Sequence, residues 1–304
     1  MILRALLPRQ SGAPRHWADR LGSAVHDTRS SRLGSVWESP VWKDHDGAFK
    51  RTLVVPMYRE RARISRSFER LKGSPLDRPG VEFVFVDDGS NDGTFEAVEA
   101  LCDRHELCAR LIQLPKNRGK GAAIAAGVTA ARGVSIAFTD ADLSTSVADI
   151  VTCFTTIEAK KADVVVASRA HAESVIEADG PVRRQLIGRV YNRLLRSLGL
   201  TTLLDTQCGL KGFQGDVARR LFHDLQVEGF GFDIEILAKA QRLGLVIEEL
   251  PVQWEYVPQS RVRPVRDSVR MCVDALTVRR ALRSTSPTVL VDLTTPLDDQ
   301  VAAS

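Results

Sequence analysis

Short apolar runs alternate with helix-like periods from about residue 50 to residue 168. The helical periods fill the gaps between runs, and Ser146 is placed to cap one of the helices. Runs without polar alternation are typical of strands buried on both faces, so the pattern predicts a mostly parallel sheet with helices on both sides. The predicted strands are Arg51–Tyr58, Val81–Asp88, Ala109–Leu114, Val134–Thr139 and Ala162–Ser168.

Outside this region the pattern changes. Residues 1–50 show no sustained period, which predicts a disordered or loosely packed extension, or a basic arm that touches a membrane or partner. Residues 51–260 form the α/β domain, whose second half holds a basic helix, the stretch "CGLKGFQG", two further helices and a strand at Leu245–Val252. We expect a basic C-terminal helix over 261–284 and a flexible tail over 285–304.

Composition excludes several classes of protein. The 304 residues carry a formal net charge of +4, too small by itself to indicate nucleic-acid binding. Five scattered cysteines without CxxC spacing argue against a disulfide framework and for a reducing compartment. No apolar run approaches the ~18–20 residues that span a bilayer. A cytoplasmic protein, free or peripherally attached to a membrane, is expected.

Polar side chains gather where the predicted strands end. Because ligands of open parallel sheets bind outside the carboxyl ends of the strands, these residues should share one rim. Five acidic groups beside an arginine indicate a site for a metal and its anionic ligand. The rim residues are Pro56, Tyr58, Glu60, Asp87, Asp88, Asp140, Asp142, Ser168 and Arg169.

Asp140 and Asp142 stand two residues apart and repel each other when both are ionised. A nearby cation would offset that repulsion. Carboxylate oxygens suit Mg²⁺ or Mn²⁺, and such ions also bind diphosphate oxygens. The pair therefore predicts a divalent metal site.

The loop from Lys116 to Gly121 enters a predicted helix. It fails the P-loop pattern because Leu114 and Gly121 replace the first glycine and the Ser/Thr, and Ile124 breaks the dinucleotide fingerprint. The basic, glycine-containing loop could still bind a diphosphate through Lys120 and backbone N–H groups. The alternative is that it is an ordinary loop that leads into a helix.

Six ordered motifs resemble one known family. They are "VVPMYRE", "VDDGSNDGT", "NRGKGAAI", "TDADLS", "ASR" and "DTQCGLKGF", within about residues 50–255. Together they are similar to the family-2 inverting glycosyltransferases of GT-A fold, and closest to the dolichyl-phosphate and polyprenyl-phosphate hexose synthases.

The resemblance implies a role for each motif. Lys120 and Arg169 would stabilise a departing diphosphate, and Asp140 and Asp142 would hold its metal. Ser144 replaces a glutamine of the mannose branch, and "DTQCGLKGF" is more similar to the glucosyl branch, whose donor is UDP-glucose. The nucleotide would be held by Pro56, Tyr58, Glu60, Asp87, Asp88 and Lys120.

The stretch "GFGFDIEIL" offers two carboxylates for proton transfer, Asp233 and Glu235. A lipid phosphate, whose second pKa is about 6, needs no strong base because it is largely ionised near neutrality. Asp233 is then predicted to orient a substrate, or simply to cap a helix.

Residues 181–200 contain no acidic residue. Leu186, Val190 and Leu194, with Ile187 and Leu198, make an apolar stripe flanked by arginines, which indicates a helix in a membrane interface or a surface helix with core-facing leucines. The predicted acceptor and membrane residues are Arg183, Arg184, Arg189, Arg193, Gln207 and Lys211, with Arg196 beside them and Arg261, Arg263 and Arg266 further on.

The sequence therefore predicts a metal-dependent enzyme that transfers a hexose, favouring glucose from UDP-glucose, to a polyprenyl or dolichyl phosphate with inversion. Two alternatives in the same fold are a GDP-mannose-dependent enzyme and a transferase that acts on a hydroxyl group. A third, of another class, is a non-catalytic protein that binds nucleotide-sugars.

Overall fold

A computed structural model describes residues 34–45, 47–177, 182–255 and 264–284. Within these ranges eight strands form one sheet in the order β1-β4-β3-β2-β5-β8-β6-β9. The strands are β1 Val36–Glu38, β2 Arg51–Met57, β3 Val81–Asp87, β4 Ala109–Gln113, β5 Ser135–Phe138, β6 Val164–Ser168, β8 Lys211–Gln214 and β9 Ile247–Pro251, and β7 Val175–Ile176 pairs with β10 Gln253–Trp254 in a small second sheet.

The five predicted strands appear as β2 to β6, each within two residues of its expected bounds. Strands β4, β3, β2 and β5 run parallel, and β3 is buried along its whole length. Alternate residues of β2 face opposite sides of the sheet: Leu53 and Val55 join one apolar cluster and Val54 joins another. The predicted α/β class with helices on both faces is thus confirmed.

Helices cover both faces of the sheet. The helix at Val147 begins with the predicted cap, since Ser146 Oγ accepts from Asp149 N and Asp149 in turn accepts from Ser146 N. The helices are α1 Pro40–Lys43, α2 Ile64–Leu71, α3 Thr94–His105, α4 Lys120–Ala130, α5 Val147–Glu158, α6 Val182–Ser197, α7 Gly215–His223, α8 Phe232–Arg242 and α9 Pro264–Ser284.

Strand β8, inside the "CGLKGFQG" stretch, has no counterpart in the sequence prediction. It runs antiparallel to both β5 and β6 and joins the two parallel groups of strands. Gly212 makes this possible, because a Cβ there would lie 2.4 Å from Cys153 Sγ of α5. The sheet is therefore mixed, with an inverted strand next to the rim.

The predicted extension over 1–50 is wrong for its last part. Strand β1 pairs antiparallel with β4, and Trp42 of α1 donates from Nε1 to the buried Glu82 at 3.1 Å. The guanidinium groups of Arg110 and Arg132 stack on the Trp42 ring. Aromatic and cation–π packing holds this segment, which lacks the periodicity that sequence reasoning needs. Residues 1–33 and 285–304 lie outside the described residues.

Candidate active site

The turn after β3 and the loop before α4 form one unit. Asp88 accepts from Arg118 N at 2.7 Å, Gly119 N at 2.8 Å and Asn117 Nδ2 at 2.8 Å. Gly89 has a φ of 68°, and a Cβ there would lie 2.4 Å from the carbonyl carbon of Lys116. Two of the loop amides that were predicted to bind a diphosphate are therefore used by Asp88.

Burial raises the pKa of Asp88 to about 6, while the amides of Arg118 and Gly119 oppose that rise by stabilising the carboxylate. The charge of Asp87 next to it adds to the rise. This carboxyl group therefore titrates within two units of neutrality, unlike an exposed aspartate.

The remaining nucleotide-binding candidates surround this unit. Asp87 is fully buried and accepts from Gln113 Nε2 at 3.0 Å and from Ser90. Glu60 is buried and pairs with Arg63, Nη2 to Oε1 at 2.6 Å. Both carboxylates are thus positioned by protein partners. Pro56 is buried within β2, and the ring of Tyr58 is half-buried beneath the guanidinium of Arg59.

The D-x-D pair lies past the end of β5. Lys120 Nζ, from the first residue of α4, is 2.5 Å from Asp140 Oδ1, so the cation beside the pair in this structure is a lysine. Gly209 leaves room for the carboxylate, since a Cβ there would lie 2.1 Å from Asp140 Oδ2. Asp142 accepts from Ser144 N at 3.1 Å.

The two carboxyl groups differ in pKa direction. Burial would raise the pKa of Asp140, but the charges of Lys120, Lys211 and Arg169 more than offset it and the pKa is lowered. The pKa of Asp142 is raised, first by burial and then by the charge of Asp140. Arg63 opposes that rise, a role that sequence reasoning missed.

Among the described residues no group of three or more His, Cys, Asp or Glu is arranged to hold a metal. Two aspartates supply only part of a hard cation's oxygen ligands. Mg²⁺ is commonly held in this way, by one or two carboxylates together with substrate phosphates. The two carboxylates therefore fit a metal whose remaining ligands include oxygens of a bound diphosphate.

Arg169 is held by an aspartate that was not among the predicted site residues. Its Nε and Nη2 donate to the two oxygens of the buried Asp205 at 2.7 and 3.0 Å, and its backbone N donates to the same group. Burial alone would raise the pKa of Asp205, yet the Arg169 charge and hydrogen bonds lower it to about 2. Gln207 N also donates to Asp205, which places Gln207 in this turn.

Lys211 was predicted to contact the acceptor or the membrane, and its burial contradicts a contact with the membrane surface. Its side chain is 0% exposed, and Nζ lies 2.7 Å from Asp233 Oδ1 and donates to Cys208 O at 2.8 Å. Strand β8 points this side chain into the interior, where it lies over the Phe138 ring. Lys211 is an internal counter-ion.

Asp233 lies in the first turn of α8, after the N-cap residue Gly231, and is therefore not the cap itself. Burial raises its pKa against the opposing charges of Lys211 and Lys120. Glu235 is bound elsewhere, since it accepts from Gln226 N, Val227 N and Lys239 Nζ. Of the two predicted carboxylates, Asp233 is the one within electrostatic reach of the rim.

Helix α6 exposes two residues of its predicted apolar stripe to solvent. Val190 is 58% exposed and Leu194 is also exposed, whereas Tyr191 and Leu195 pack in a core cluster with α8 and α9. Arg193 and Arg196 are exposed beside them. Val190 and Leu194 therefore do not face the core, whereas Leu198 of the same stripe packs against this cluster, so the described residues support neither alternative for the whole stripe. The side chains of Arg183, Arg184, Leu186, Arg189, Arg261, Arg263 and Arg266 lie outside the described part of the chain.

Comparisons with known proteins show what the chain is similar to. The family described as "Glycosyl transferase family 2" matches residues 52–222. A dolichyl-phosphate beta-glucosyltransferase of Trichomonas vaginalis is 33% identical over 82% of this chain and 76% of its own length. The Homo sapiens protein of the same name is 32% identical over 81% and 78%.

A solved structure shares the fold. Glucosyl-3-phosphoglycerate synthase from Mycobacterium tuberculosis, in complex with Mn²⁺, UDP and glucosyl-3-phosphoglycerate, has a TM-score of 0.56. The two chains are 22% identical, and the match covers 82% of this chain and 88% of that one.

Proposed function

Since the chain belongs to glycosyltransferase family 2, we propose that it transfers glucose from UDP-glucose to the phosphate of a polyprenyl lipid such as dolichyl phosphate, with inversion. The observation that carries the proposal is the cluster formed by Asp140, Asp142, Lys120 and Arg169 on one rim. The acceptor follows from the names of the relatives that align over most of the chain.

The acceptor phosphate is its own nucleophile. Its second pKa is about 6, so near neutrality the monoester is mostly a dianion and no proton must be removed. A phosphate oxygen attacks the anomeric carbon from the face opposite UDP and forms a new C–O bond. The bond to the UDP oxygen breaks and its electron pair leaves with UDP, so the four negative charges of the reactants end as one on the lipid diester and three on UDP.

The charge that grows on UDP needs fixed positive groups. Lys120 and Arg169 supply them, and preorganised charges of this kind commonly make the largest contribution to catalysis. Asp205 holds the Arg169 fork in place through two hydrogen bonds. Asp233, which faces Lys211 and lies near Lys120, positions these lysines and does not need to act as a base.

Asp140 and Asp142 would hold Mg²⁺ or Mn²⁺, because two carboxylates and diphosphate oxygens make a suitable ligand set for these ions. When bound, the metal supplies charge neutralisation at the leaving diphosphate. Gly209 provides the space that the Asp140 carboxylate occupies, so a side chain at this position would displace one of the two groups that would hold the ion.

The acceptor requires contact with a membrane. No helix in the described ranges is long and apolar enough to cross one. Helices α6 and α9 instead expose an apolar surface, here called the outer face, bordered by Arg193 and Arg196. We therefore place the protein peripherally on the cytoplasmic side of an anionic membrane, in line with five cysteines that are all free. The outer face consists of Val190, Leu194, Val269, Val273 and Leu276.

A donor screen tests the proposal. Purified protein is mixed with Mn²⁺, vesicles that contain dolichyl phosphate, and either UDP-glucose or GDP-mannose with a labelled sugar. Label should enter the lipid fraction from UDP-glucose. Label from GDP-mannose alone would move the function to mannose transfer, and nucleotide binding without any transfer would leave a binding protein.

Asp142→Ala is the matched variant for the metal. It should abolish transfer and make UDP affinity, measured by calorimetry, insensitive to Mn²⁺. Its melting temperature should stay unchanged because a partly exposed carboxylate at a strand end contributes little to packing. Full activity in this variant would contradict the metal site.

A further inference from the structure

A cavity of ≈190 Å³ opens where the loop before α4 meets α9. Its walls come from the loop of Arg118 and Lys120, from the turn at Phe230, and from one face of α9. A single water needs only ~10–15 Å³ by this measure, so the space admits a group far larger than one water. Of the residues of α9, sequence reasoning named only Arg266 as a candidate for the acceptor or membrane, and none of the residues that line this cavity.

The charged part of the lining is mainly basic. Three of the nine lining residues are basic, Arg118, Lys120 and Arg270, and one is acidic, Asp274. Arg118 is anchored by Glu228 outside the cavity wall, and the Glu228 carbonyl also accepts from Ala122 N. Since Arg118 pairs with Glu228 and Lys120 with Asp140, Arg270 is the lining cation best placed to bind a phosphate group directly.

Lys120 joins this cavity to the rim. The same residue that lines the cavity reaches Asp140 with Nζ at 2.5 Å. An acceptor oxygen must come within ~3–3.5 Å of the carbon it attacks. A phosphate in the cavity would therefore lie beside the sugar of a donor bound at Asp140 and Asp142.

Helix α9 also joins the cavity to the outer face. Arg270, Met271 and Asp274 line the cavity, whereas Val269 and Val273, at neighbouring positions, are 61% and 58% exposed. Residues at i and i+4 share one side of a helix, so one side of α9 faces the cavity and the adjacent side faces outward. Ala275 and Val278 fix this orientation by packing in the core with α6 and α8.

We propose that this cavity seats the phosphate monoester of the lipid acceptor, with Arg270 binding it directly while the lipid chain leaves along the apolar side of α9. The inference rests on the proposed function. A lipid is favoured over a free phosphate because Phe230 and Met271 line the same cavity and the outer face begins one residue away at Val269.

The test uses the full chain and geranyl phosphate, a short polyprenyl phosphate that dissolves without vesicles. Arg270→Glu should raise the KM for geranyl phosphate about tenfold to a hundredfold, because this is the change in affinity expected when one charge-assisted hydrogen bond is lost. Arg270→Lys should recover part of the loss. The affinity for UDP with Mn²⁺ should not change, because the donor binds at the strand ends.

Arg280→Glu is the matched control. It makes the same charge change at an exposed position of α9, about 15 Å further along the helix, and should leave the KM unaltered. Equal KM values for Arg270→Glu and the wild type would overturn the cavity assignment while leaving the proposed function intact.

Binding in the presence of UDP separates the remaining outcomes. By calorimetry the wild type should bind geranyl phosphate more tightly than inorganic phosphate, and Arg270→Glu should weaken that binding. Equal affinity for the two ligands would assign the cavity to a free phosphate and overturn the lipid assignment. If geranyl phosphate binds in a manner that depends on Arg270 but no glucose is transferred, the cavity would be supported as the phosphate site and the proposed function would be contradicted.

Discussion

Two lysine–aspartate pairs lie near the rim and differ in how far they are exposed to solvent. Lys120 and Asp140 are 2.5 Å apart with both side chains partly exposed, whereas Lys211 and Asp233 are 2.7 Å apart and almost fully buried. In the partly exposed pair, Lys120 or Asp140 can separate from the other and bind a charged group of a ligand instead. The buried pair cannot, because separating it would leave a bare charge in the interior. We therefore propose that similar contacts serve catalysis at Lys120 and Asp140 and stabilise the fold at Lys211 and Asp233.

The largest effect is expected from breaking the buried pair. Lys211→Met should lower the free energy of unfolding by about 3–5 kcal/mol, since it leaves Asp233 without its counter-ion. Urea denaturation measures the change. The double variant Lys211→Met, Asp233→Leu should recover much of the loss because an apolar pair avoids the desolvation penalty. An unchanged midpoint in the single variant would show that the pair is not structural.

Breaking the exposed pair should separate activity from stability. Lys120→Met should reduce the transfer rate about 10²–10³-fold, as does the loss of one preorganised group that stabilises developing charge. The free energy of unfolding should fall by only about 1 kcal/mol, the upper range for accessible ion pairs. Steady-state rates and urea midpoints measured on one preparation make the comparison. A variant as destabilised as Lys211→Met would erase the distinction between the two pairs.

Arg193 and Arg196, which border the outer face, are charged residues exposed to solvent. Each basic residue near an anionic surface contributes ~1 kcal/mol, so Arg193→Glu with Arg196→Glu should remove at least roughly 2 kcal/mol of vesicle binding. Co-sedimentation at low salt measures it, with molar salt as the screened reference. Binding of UDP should not change. Wild-type sedimentation by the variant would mean that α6 is an ordinary surface helix.

A pH-dependent effect concerns Asp88, whose neutral form is favoured by burial. Its folded pKa of about 6 lies above the unfolded value of ~3.9, so it adds stability below pH 4 that is lost as the pH rises through 6. Urea midpoints measured from pH 4 to pH 7 should therefore fall more steeply with pH in the wild type than in Asp88→Asn. Parallel curves would place the pKa of Asp88 at its ordinary value.

Sequence reasoning identified most of the rim. Strands β2 to β6, the cap at Ser146 and the grouping of Asp88, Asp140 and Arg169 follow from local patterns, because parallel strands bring their carboxyl ends to one edge. It did not find Asp205, although the aspartate opens one of the quoted motifs. Nothing in a linear pattern says that a motif residue will pair with an arginine 36 positions away.

Periodicity depends on neighbours along the chain, so the sequence alone determined the strand runs, the family and the acidic rim. The inverted strand β8, the burial of Lys211 and the outward turn of Val190 depend on contacts between distant segments. The helical stripe of α6 is the same whether it faces core or solvent, and only its packing against α8 and α9 selected Tyr191 and Leu195 for the inside. Tertiary structure decided these features because the burial of a side chain depends on which distant segments pack against it. A local sequence pattern does not contain that information.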